Sequence, residues 1–430
     1  MVSGQSTEAR PLFHLPFEIT IEILSRLPVK SLLRFKSVCK DWYALVETPD
    51  FISKHLLTHS TPNRTSLLVT TYDRETQNYA MSLVVDDGLS TGPINLDFPF
   101  LNRRNYLPIG QQTGINYFYI GGICNGLVCI NLSHLGYPLI LCNPLTKKFR
   151  EIPDSKWNGF NGNGYHGYSY TNVNWVSFGF GFHSSAMDYK LIRIVFYASP
   201  TREDNVRADL YVMSTDTWRE IDVNKLSLFF EEYDFVQILG YSASVVLNGI
   251  FYWPAQLILS DEVLLMSFDM GDEVFKKITT PECLDMTWNK ANWKFTELND
   301  KLALVISADE RAFDVWVLNE NEFLWTNQVK LGFQAKLGSF PWLPSYKGNW
   351  EDAENTVVGG LKDGELLVAA HKVSGDLKLF LYDTNARKTK DLCFGNVPHE
   401  SFAYLCAGTL LPVMQVNEIV LNQKNEKRKL

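Results

Sequence analysis

The sequence predicts a small N-terminal all-α domain followed by an all-β propeller of six blades, in which C-terminal strands close the first blade. Three observations carry this prediction. Short stretches with helical apolar spacing, separated by prolines, fill residues 13–57. Aromatic residues make up 13% of the chain, which favours strands beyond that region. A strand-turn-strand pattern then recurs six times, and repeated four-stranded units are typical of propellers.

The composition indicates a soluble globular protein. Hydrophobic residues make up 46% of the 430 residues and charged residues 20%, which argues against large-scale disorder. The polar start lacks a signal-peptide core and no stretch has the apolar length of a membrane span, so we expect a cytoplasmic and/or nuclear location and no membrane contact. The net charge of -8 disfavours nucleic-acid binding. Seven scattered cysteines predict buried thiols, because no CxxC spacing indicates a zinc site or a disulfide framework.

The helical domain is expected at residues 13–57, after a flexible N-terminus at 1–12. Its apolar residues recur at helical spacing on three predicted helices: Ile19, Ile23, Leu24 and Leu27, then Leu32 and Phe35, then Val38, Trp42 and Leu45. Pro28 ends the first helix. A unit of about 45 residues is near the lower limit for an independent core. Some of these side chains are therefore expected to bind another protein.

This segment resembles the F-box. The resemblance rests on Leu15-Pro16, Leu27-Pro28, Leu32-Leu33-Arg34, Val38-Cys39-Lys40 and Trp42. It implies docking on a Skp-type adaptor, and through that adaptor on a cullin of a ubiquitin ligase. The adaptor-facing set that the resemblance implies is Leu15, Pro16, Ile19, Leu24, Leu27, Pro28, Leu32, Leu33, Val38, Cys39 and Trp42. The alternative is a helical cap that packs on the following domain and buries all these residues in an ordinary core.

A repeat organises residues 67–414, after a linker at 58–66. In each copy a strand ends in a four-residue turn, and in most copies an aromatic residue opens the next strand; the copies begin at Asp73, Asn143, Val212, Asp269, Asn319 and Asp383. Asp and Asn at such a turn accept hydrogen bonds from the backbone that follows. Hairpin turns lie about 20 residues before four of the copies, at Asn125-Gly126, Asn248-Gly249, Asn299-Asp300 and Asp363-Gly364. Each unit is therefore expected to be a four-stranded antiparallel blade.

The two ends of the repeat region are expected to meet. The first copy has no leading hairpin, and the strand-like segment 402–413 has no copy after it. We therefore expect the C-terminal strands to complete the blade that residues 67–85 begin, which would also cover exposed strand edges. The basic tail at 415–430 is expected to be a solvated terminus.

The repeat region resembles the plant F-box-associated, kelch-related domain. The motifs that carry this resemblance are Cys124-Asn125-Gly126-Leu127-Val128-Cys129, Asn143-Pro144-Leu145-Thr146-Lys147-Lys148-Phe149, Phe178-Gly179-Phe180-Gly181-Phe182, Asp188-Tyr189-Lys190-Leu191-Ile192-Arg193 and Asp314-Val315-Trp316-Val317-Leu318. That family includes the S-locus F-box proteins of pollen and many regulators of immune-receptor abundance. The resemblance covers nearly the whole chain, but it does not explain the insertions at 153–176 and 339–356.

No motif predicts a catalytic residue, a metal site or a cofactor. Residues 162–167 match GxGxxG, but no helical pattern follows to receive a pyrophosphate. His55 and His59 are four residues apart, but no third ligand accompanies them, so we interpret both as polar linker histidines. We therefore expect a non-catalytic protein. Catalytic groups on propeller loops remain an alternative, because dispersed acids cannot be assembled from one sequence.

The two insertions are candidate target-binding loops. The residues of these insertions proposed to contact a target are Trp157, Tyr165, Tyr168, Trp175, Trp342, Tyr346 and Trp350. Tyr and Trp on polar loops bury large areas at a low entropic cost, which suits partner recognition. The alternative is that both loops are tolerated insertions without a function.

Three functions are open at this stage. The first is the substrate-recognition subunit of a Skp-cullin-F-box (SCF) ubiquitin ligase, with the propeller binding a target protein for ubiquitination. The second is a propeller enzyme or carbohydrate-binding module with a helical cap, and the third is a non-degradative F-box scaffold. The acidic chain fits a basic target. The sequence does not identify the target, its fate, the branch of the family or the propeller face that binds it.

Overall fold

The fold is taken from a computed structural model, and the chain divides between Thr61 and Pro62 into two compact units, a helical one and an all-β one. The described residues are 16–58, 65–73, 78–85, 94–101, 118–132, 138–155, 173–186, 188–197, 206–222, 236–238, 245–257, 263–281, 293–309, 312–319, 324–332, 356–360, 365–371, 377–383, 386, 388–392, 401–407, 411 and 413. Within these ranges no helix combines the length and apolarity that a membrane span requires.

The helical unit has four short helices where the sequence predicted three. They are α1 Phe17–Ser25, α2 Val29–Phe35, α3 Lys40–Val46 and α4 Pro49–Thr58. Prolines stand at the N-caps of α1 and α2, where the missing N–H costs nothing, and the Pro28 carbonyl accepts from Leu32 N at 3.1 Å. The sequence contains a start signal for α4, the pair Thr48-Pro49. Thr48 caps the helix by accepting from Phe51 N at 3.3 Å, and Pro49 occupies its first position.

The strands of the all-β unit are listed here in chain order, for the described residues. They are β1 Thr65–Asp73, β2 Asn78–Val85, β3 Ile94–Asn95, β4 Tyr119–Cys124, β5 Leu127–Asn131, β6 Leu139–Asn143, β7 Lys148–Glu151, β8 Val173–His183, β9 Asp188–Tyr197, β10 Val206–Val212, β11 Thr217–Ile221, β12 Val236–Ile238, β13 Val245–Leu247, β14 Ile250–Leu257, β15 Val263–Asp269, β16 Val274–Thr279, β17 Trp293–Leu298, β18 Lys301–Asp309, β19 Ala312–Asn319, β20 Leu324–Gly332, β21 Thr356–Gly360, β22 Glu365–His371, β23 Leu377–Asp383, β24 Lys388–Leu392 and β25 Ser401–Ala407.

These strands form six antiparallel sheets within the described residues. The orders are β25-β1-β2-β3, β4-β5-β6-β7, β8-β9-β10-β11, β12-β14-β15-β16 with β13 also paired to β14, β17-β18-β19-β20, and β21-β22-β23-β24. One strand of each sheet contacts a strand of the next sheet, and these strands form a closed ring in the order β25, β4, β8, β13, β17, β21 and back to β25. The apolar core lies between neighbouring sheets, as where Leu141 of the second sheet and Phe180 of the third share one cluster. The predicted class, a helical domain followed by an all-β propeller, is confirmed.

Ring closure by the C-terminus is also confirmed, with one correction. β25 pairs with β1 from Ser401 opposite Thr71 to Ala407 opposite Thr65. Among the described residues, the C-terminus thus supplies a single strand where the sequence predicted strands in the plural, and β3 supplies the fourth strand. The turn after Asp73 therefore joins the second and third strands of its sheet, whereas the other five copies join the third and fourth. The pairing of β1 with the distant β25 determines this strand order, and no local sequence motif predicts that pairing.

The turn chemistry follows the predicted pattern. All six copies begin at the last residue of a strand. Asn143 Oδ1 accepts from the backbone N–H groups of Leu145 and Thr146 at 3.0 and 3.2 Å, and Asp269 Oδ1 accepts from Gly271 N at 2.7 Å. Positive φ angles occur at Asn125-Gly126, Asn248-Gly249 and Asn299-Asp300, as tight hairpin turns require.

The aromatic residue that opens the last strand of a sheet does more than pack on its own hairpin. The ring centroid of Trp218 lies 5.3 Å from that of its cross-strand partner Tyr211, and its Nε1 donates to the carbonyl of Pro153, just after β7 of the preceding sheet, at 2.6 Å. Trp325 repeats this arrangement by donating to the carbonyl of Thr279 at 2.8 Å. The repeated aromatic therefore also ties each of these sheets to the one before it.

Three buried cysteines behave as the sequence predicted. Cys129, Cys142 and Cys406 are buried, and burial raises the pKa of each thiol, that of Cys406 to about 12, so they stay protonated. Cys39 is instead exposed, and Cys124 is intermediate. Cys283 and Cys393 lie outside the described residues.

Candidate functional site

The helical unit exposes more large apolar side chains than the rest of the described chain. The five exposed large apolar residues within the described ranges are Phe17, Ile19, Ile23, Val38 and Tyr43, each 46–60% exposed. Ile19 and Ile23 lie four residues apart and share one face of α1, whereas Val38 and Tyr43 lie in and after the α2–α3 turn. We call these five residues the exposed apolar set.

The predicted adaptor-facing residues divide into three groups. Pro16, Ile19, Val38 and Cys39 are exposed, and Leu27, Pro28, Leu33 and Trp42 are partly buried. Leu24 and Leu32 are 1% and 0% exposed in the chain as folded here, and their place in an adaptor-facing set stays a prediction. The resemblance to the F-box placed them in that set, and a core side chain and a docking side chain on one short helix share the same spacing. Leu15 lies outside the described residues.

Three residues of the exposed apolar set were not in the predicted set. Ile23 stood in the apolar periodicity of α1 and could have been included on that ground. Phe17 and Tyr43 carry no periodic signal, and only their exposure in the structure identifies them.

The turn at Leu27-Pro28 contacts a side chain of α4. The His55 side chain is buried, its Nε2 lies 2.9 Å from the carbonyl oxygen of Leu27, and its ring stacks on Phe51 with centroids 6.3 Å apart. The interpretation of His55 as a polar linker histidine was therefore wrong, because α4, a helix that was not predicted, carries His55 into the core. His59 lies outside the described residues.

The α2–α3 turn is ordered by side-chain contacts on both sides. Cys39 Sγ caps α3 by accepting from Trp42 N at 3.4 Å, and the Trp42 ring lies 5.5 Å from that of Phe35. Lys36 pairs with Glu47 at 2.9 Å. These contacts fix the backbone that presents Val38 to solvent.

Charge is distributed unevenly over the helical unit. Residues 23–40 contain five cations and no acidic residue. Glu22, which precedes this segment, binds Lys54 and Arg26 at 2.5 Å each, and its hydrogen bond from Lys54 and that from Arg26 lower the pKa of its carboxyl. Arg34 and Lys40 are exposed and form no ion pair with any described residue. The segment 23–40 is therefore basic, and the exposed Asp41 in the first turn of α3 follows it.

In the propeller, the described buried charges serve the structure. Arg193 and Asp209 face each other on β9 and β10 and form a buried ion pair. Ser155 Oγ donates to Asp209 Oδ2 at 3.0 Å, and the guanidinium lies 5.4 Å from the centroid of the Trp218 ring. A substrate has no access to groups that are 2% exposed. Within the described residues, no three His, Cys, Asp or Glu side chains group as a candidate metal site.

The predicted target-binding residues are mostly outside the described part of the chain. Trp157, Tyr165, Tyr168, Trp342, Tyr346 and Trp350 lie outside it, and only the backbone of Trp175 is described, in β8 opposite Phe196. The two loops have the same place in the topology. The β7–β8 connection and the β20–β21 connection each join the last strand of one sheet to the first strand of the next. Such connections emerge from one face of a propeller, opposite the tight turns within the hairpins.

Comparisons with known proteins agree with this architecture. The F-box domain family model matches residues 12–54, and that of the F-box associated beta propeller domain matches residues 95–388. F-box protein At3g07870 from Arabidopsis thaliana is 26% identical over 421 residues, covering 92% of this chain and 91% of that protein. Two further Arabidopsis thaliana proteins, F-box/kelch-repeat protein At3g23880 and F-box protein CPR1, are each 25% identical, over 71% and 76% of this chain and 76% of each of those proteins. The propeller match spans more than half of the chain, which therefore belongs to the F-box associated beta propeller family and carries an F-box domain before the propeller.

Proposed function

We propose that this chain is the substrate-recognition subunit of an SCF ubiquitin ligase, docking on a Skp-type adaptor through its F-box domain. The observation that carries the proposal is the exposed apolar set, which lies entirely in the F-box unit. Exposed apolar side chains that cluster on one small domain mark an interaction site. F-box domains bind Skp1-type adaptors, and the adaptor would bring the cullin.

The surroundings of the exposed apolar set suit a protein partner. Interfaces combine apolar anchors with a polar rim. Arg34 and Lys40, both exposed and without an ion pair among the described residues, supply cations beside Val38. The His55 contact to Leu27 holds the partly buried Leu27-Pro28 turn in place, which lowers the entropy lost on docking.

The propeller would bind the target. We propose that the face carrying the β7–β8 and β20–β21 connections recognises a protein, a basic one given the net charge of -8, and holds its lysines near the ubiquitin donor. The chain would then supply proximity and orientation, with no catalytic residue of its own. We also propose that it acts in the cytoplasm or the nucleus.

Adaptor binding by the full chain tests the docking half of this proposal. The double variant Ile19→Asp, Ile23→Asp should weaken binding to a purified Skp-type adaptor by roughly 100-fold, because two apolar anchors are lost and two carboxylates would be buried. The matched control is Thr58→Asp at the exposed end of α4, which should bind like wild type. Absence of binding by wild type, or equal binding by the double variant, would overturn the proposal in favour of a helical cap.

Target turnover tests the other half. Affinity purification with the proteasome blocked should recover a protein whose level falls when this chain is expressed. A recovered partner with an unchanged half-life would instead indicate a non-degradative scaffold.

A further inference from the structure

Ser37 occupies an accessible position beside Val38, one residue of the proposed docking surface. It lies in the turn at 36–38, between α2 and α3, and it is exposed. Its hydroxyl donates to the carbonyl oxygen of Arg34 at 2.7 Å and makes no other hydrogen bond to a described residue. The next residue, Val38, is at 60% the most exposed of the exposed apolar set. The Ser37 hydroxyl is therefore open to chemistry at a point that a docked adaptor would approach.

The charged residues within three positions of Ser37 are all cations, and the exposed Asp41 follows at four positions. Arg34 stands three residues before it, Lys36 one residue before it and Lys40 three residues after it. Lys36 forms an ion pair with Glu47, but Arg34 and Lys40 are exposed and have no ion pair among the described residues. An enzyme with an acidic substrate groove would recognise such a segment by charge complementarity.

We propose that Ser37 is a phosphorylation site for a protein kinase that prefers basic substrates, and that its phosphate switches adaptor docking off. This inference rests on the proposed function. In the transfer step, Ser37 Oγ attacks the γ-phosphorus of Mg-ATP, and an oxygen–phosphorus bond forms. The bond from the γ-phosphorus to the β–γ bridging oxygen breaks, ADP leaves, and the hydroxyl proton passes to the catalytic carboxylate of the kinase.

Three physical effects of the phosphate oppose docking. It adds a charge of about -1.5 to -2 next to Val38, and this charge would have to lose water when Val38 is covered. It stands at the C-terminal end of α2, where the helix dipole disfavours negative charge. It also offers acceptor oxygens to Arg34 and Lys40, so both cations would be drawn away from an adaptor.

The effect on docking is tested with the full chain carrying phosphoserine at position 37. Its affinity for a Skp-type adaptor should fall at least tenfold against the unmodified chain, and phosphatase treatment should restore it. Ser37→Ala should bind like wild type, and phosphothreonine at Thr58, the exposed end of α4, should leave affinity unchanged. Affinity within twofold of the unmodified chain, or an equal loss with phosphothreonine at Thr58, would overturn the inference. A fall of several degrees in the melting temperature of the phosphorylated chain would also overturn it, since docking would then be lost through unfolding.

The modification itself is tested with Mg-ATP and a purified kinase that prefers basic substrates. Mass spectrometry of the full chain should place phosphate on Ser37, and Arg34→Gln should slow its incorporation at least fivefold. An unmodified Ser37 under conditions that phosphorylate a short basic control peptide would count against the proposal. These outcomes are separable from the proposed function, which fails only if the unmodified chain does not bind the adaptor.

Discussion

Gly179 is a position where adding one methyl group is expected to destabilise the propeller. It lies on β8, and a Cβ placed on it would stand 2.7 Å from Phe251 Cδ1 and 2.7 Å from Trp253 Cζ2. Ordinary van der Waals contact begins at 3.4 Å, so the two rings would have to withdraw by about 0.7 Å. The substitution Gly179→Ala therefore measures how tightly neighbouring sheets pack.

The rings have little freedom to withdraw. Trp253 Nε1 donates to the carbonyl of Phe178 at 2.8 Å, and Phe251 and Trp253 are both buried, with centroids 5.6 Å apart. Overpacking of this kind costs about 1–3 kcal/mol. The lower entropy of an unfolded chain with Ala offsets about 0.4–1 kcal/mol of that cost. The free energy of unfolding should therefore fall by roughly 1–2 kcal/mol.

Urea unfolding of the full chain, followed by near-ultraviolet circular dichroism of the buried aromatics, measures this change. Gly121→Ala on β4 is the matched control, because its Cβ would meet Phe178 Cβ at 3.3 Å and other atoms only at 3.7 Å. It should alter the free energy of unfolding by less than about 0.5 kcal/mol. A Gly179→Ala variant as stable as wild type, or an equal loss in both variants, would refute the packing argument.

Two further predictions concern ring closure and pH. Removing residues 401–430 deletes β25 and leaves β1 an unpaired edge, so insoluble or unfolded protein is expected; a soluble, monomeric truncated chain with native circular dichroism would contradict closure by β25. Burial lowers the pKa of Lys294 on β17 from 10.5 to about 8. The unfolded state therefore keeps this proton to a higher pH than the folded state does. The stability of wild type should consequently rise relative to that of Lys294→Met between pH 8 and 10.5. Urea midpoints of both proteins across that window check this, and a constant difference would rule it out.

Local chemistry explains why so much of the propeller was predictable. Asn143 and Asp269 end their strands because their side chains bond the next backbone N–H groups, and Asn125-Gly126 turns because both residues accept positive φ. These interactions span only a few residues, so a single sequence records them. The same holds for the prolines that open α1 and α2.

The candidate site was less predictable, because exposure depends on the whole unit. Leu24 and Ile23 are neighbours on α1 with similar side chains, yet Leu24 is buried and Ile23 is exposed. The contact of His55 with Leu27 joins residues 28 positions apart, and no motif announces it. Apolar spacing identifies a helix face but does not say whether that face meets its own core or a partner.

The sequence by itself thus determined the two-domain plan, the turn positions and the family, because each depends on short-range chemistry and characteristic motifs. Only the tertiary structure decided that one C-terminal strand closes the ring, that β3 completes the first sheet, and which apolar residues of the F-box unit remain exposed. Those features come from pairing and packing between distant segments. Their free energy depends on which surfaces meet, and neither spacing nor propensity along the chain contains that information.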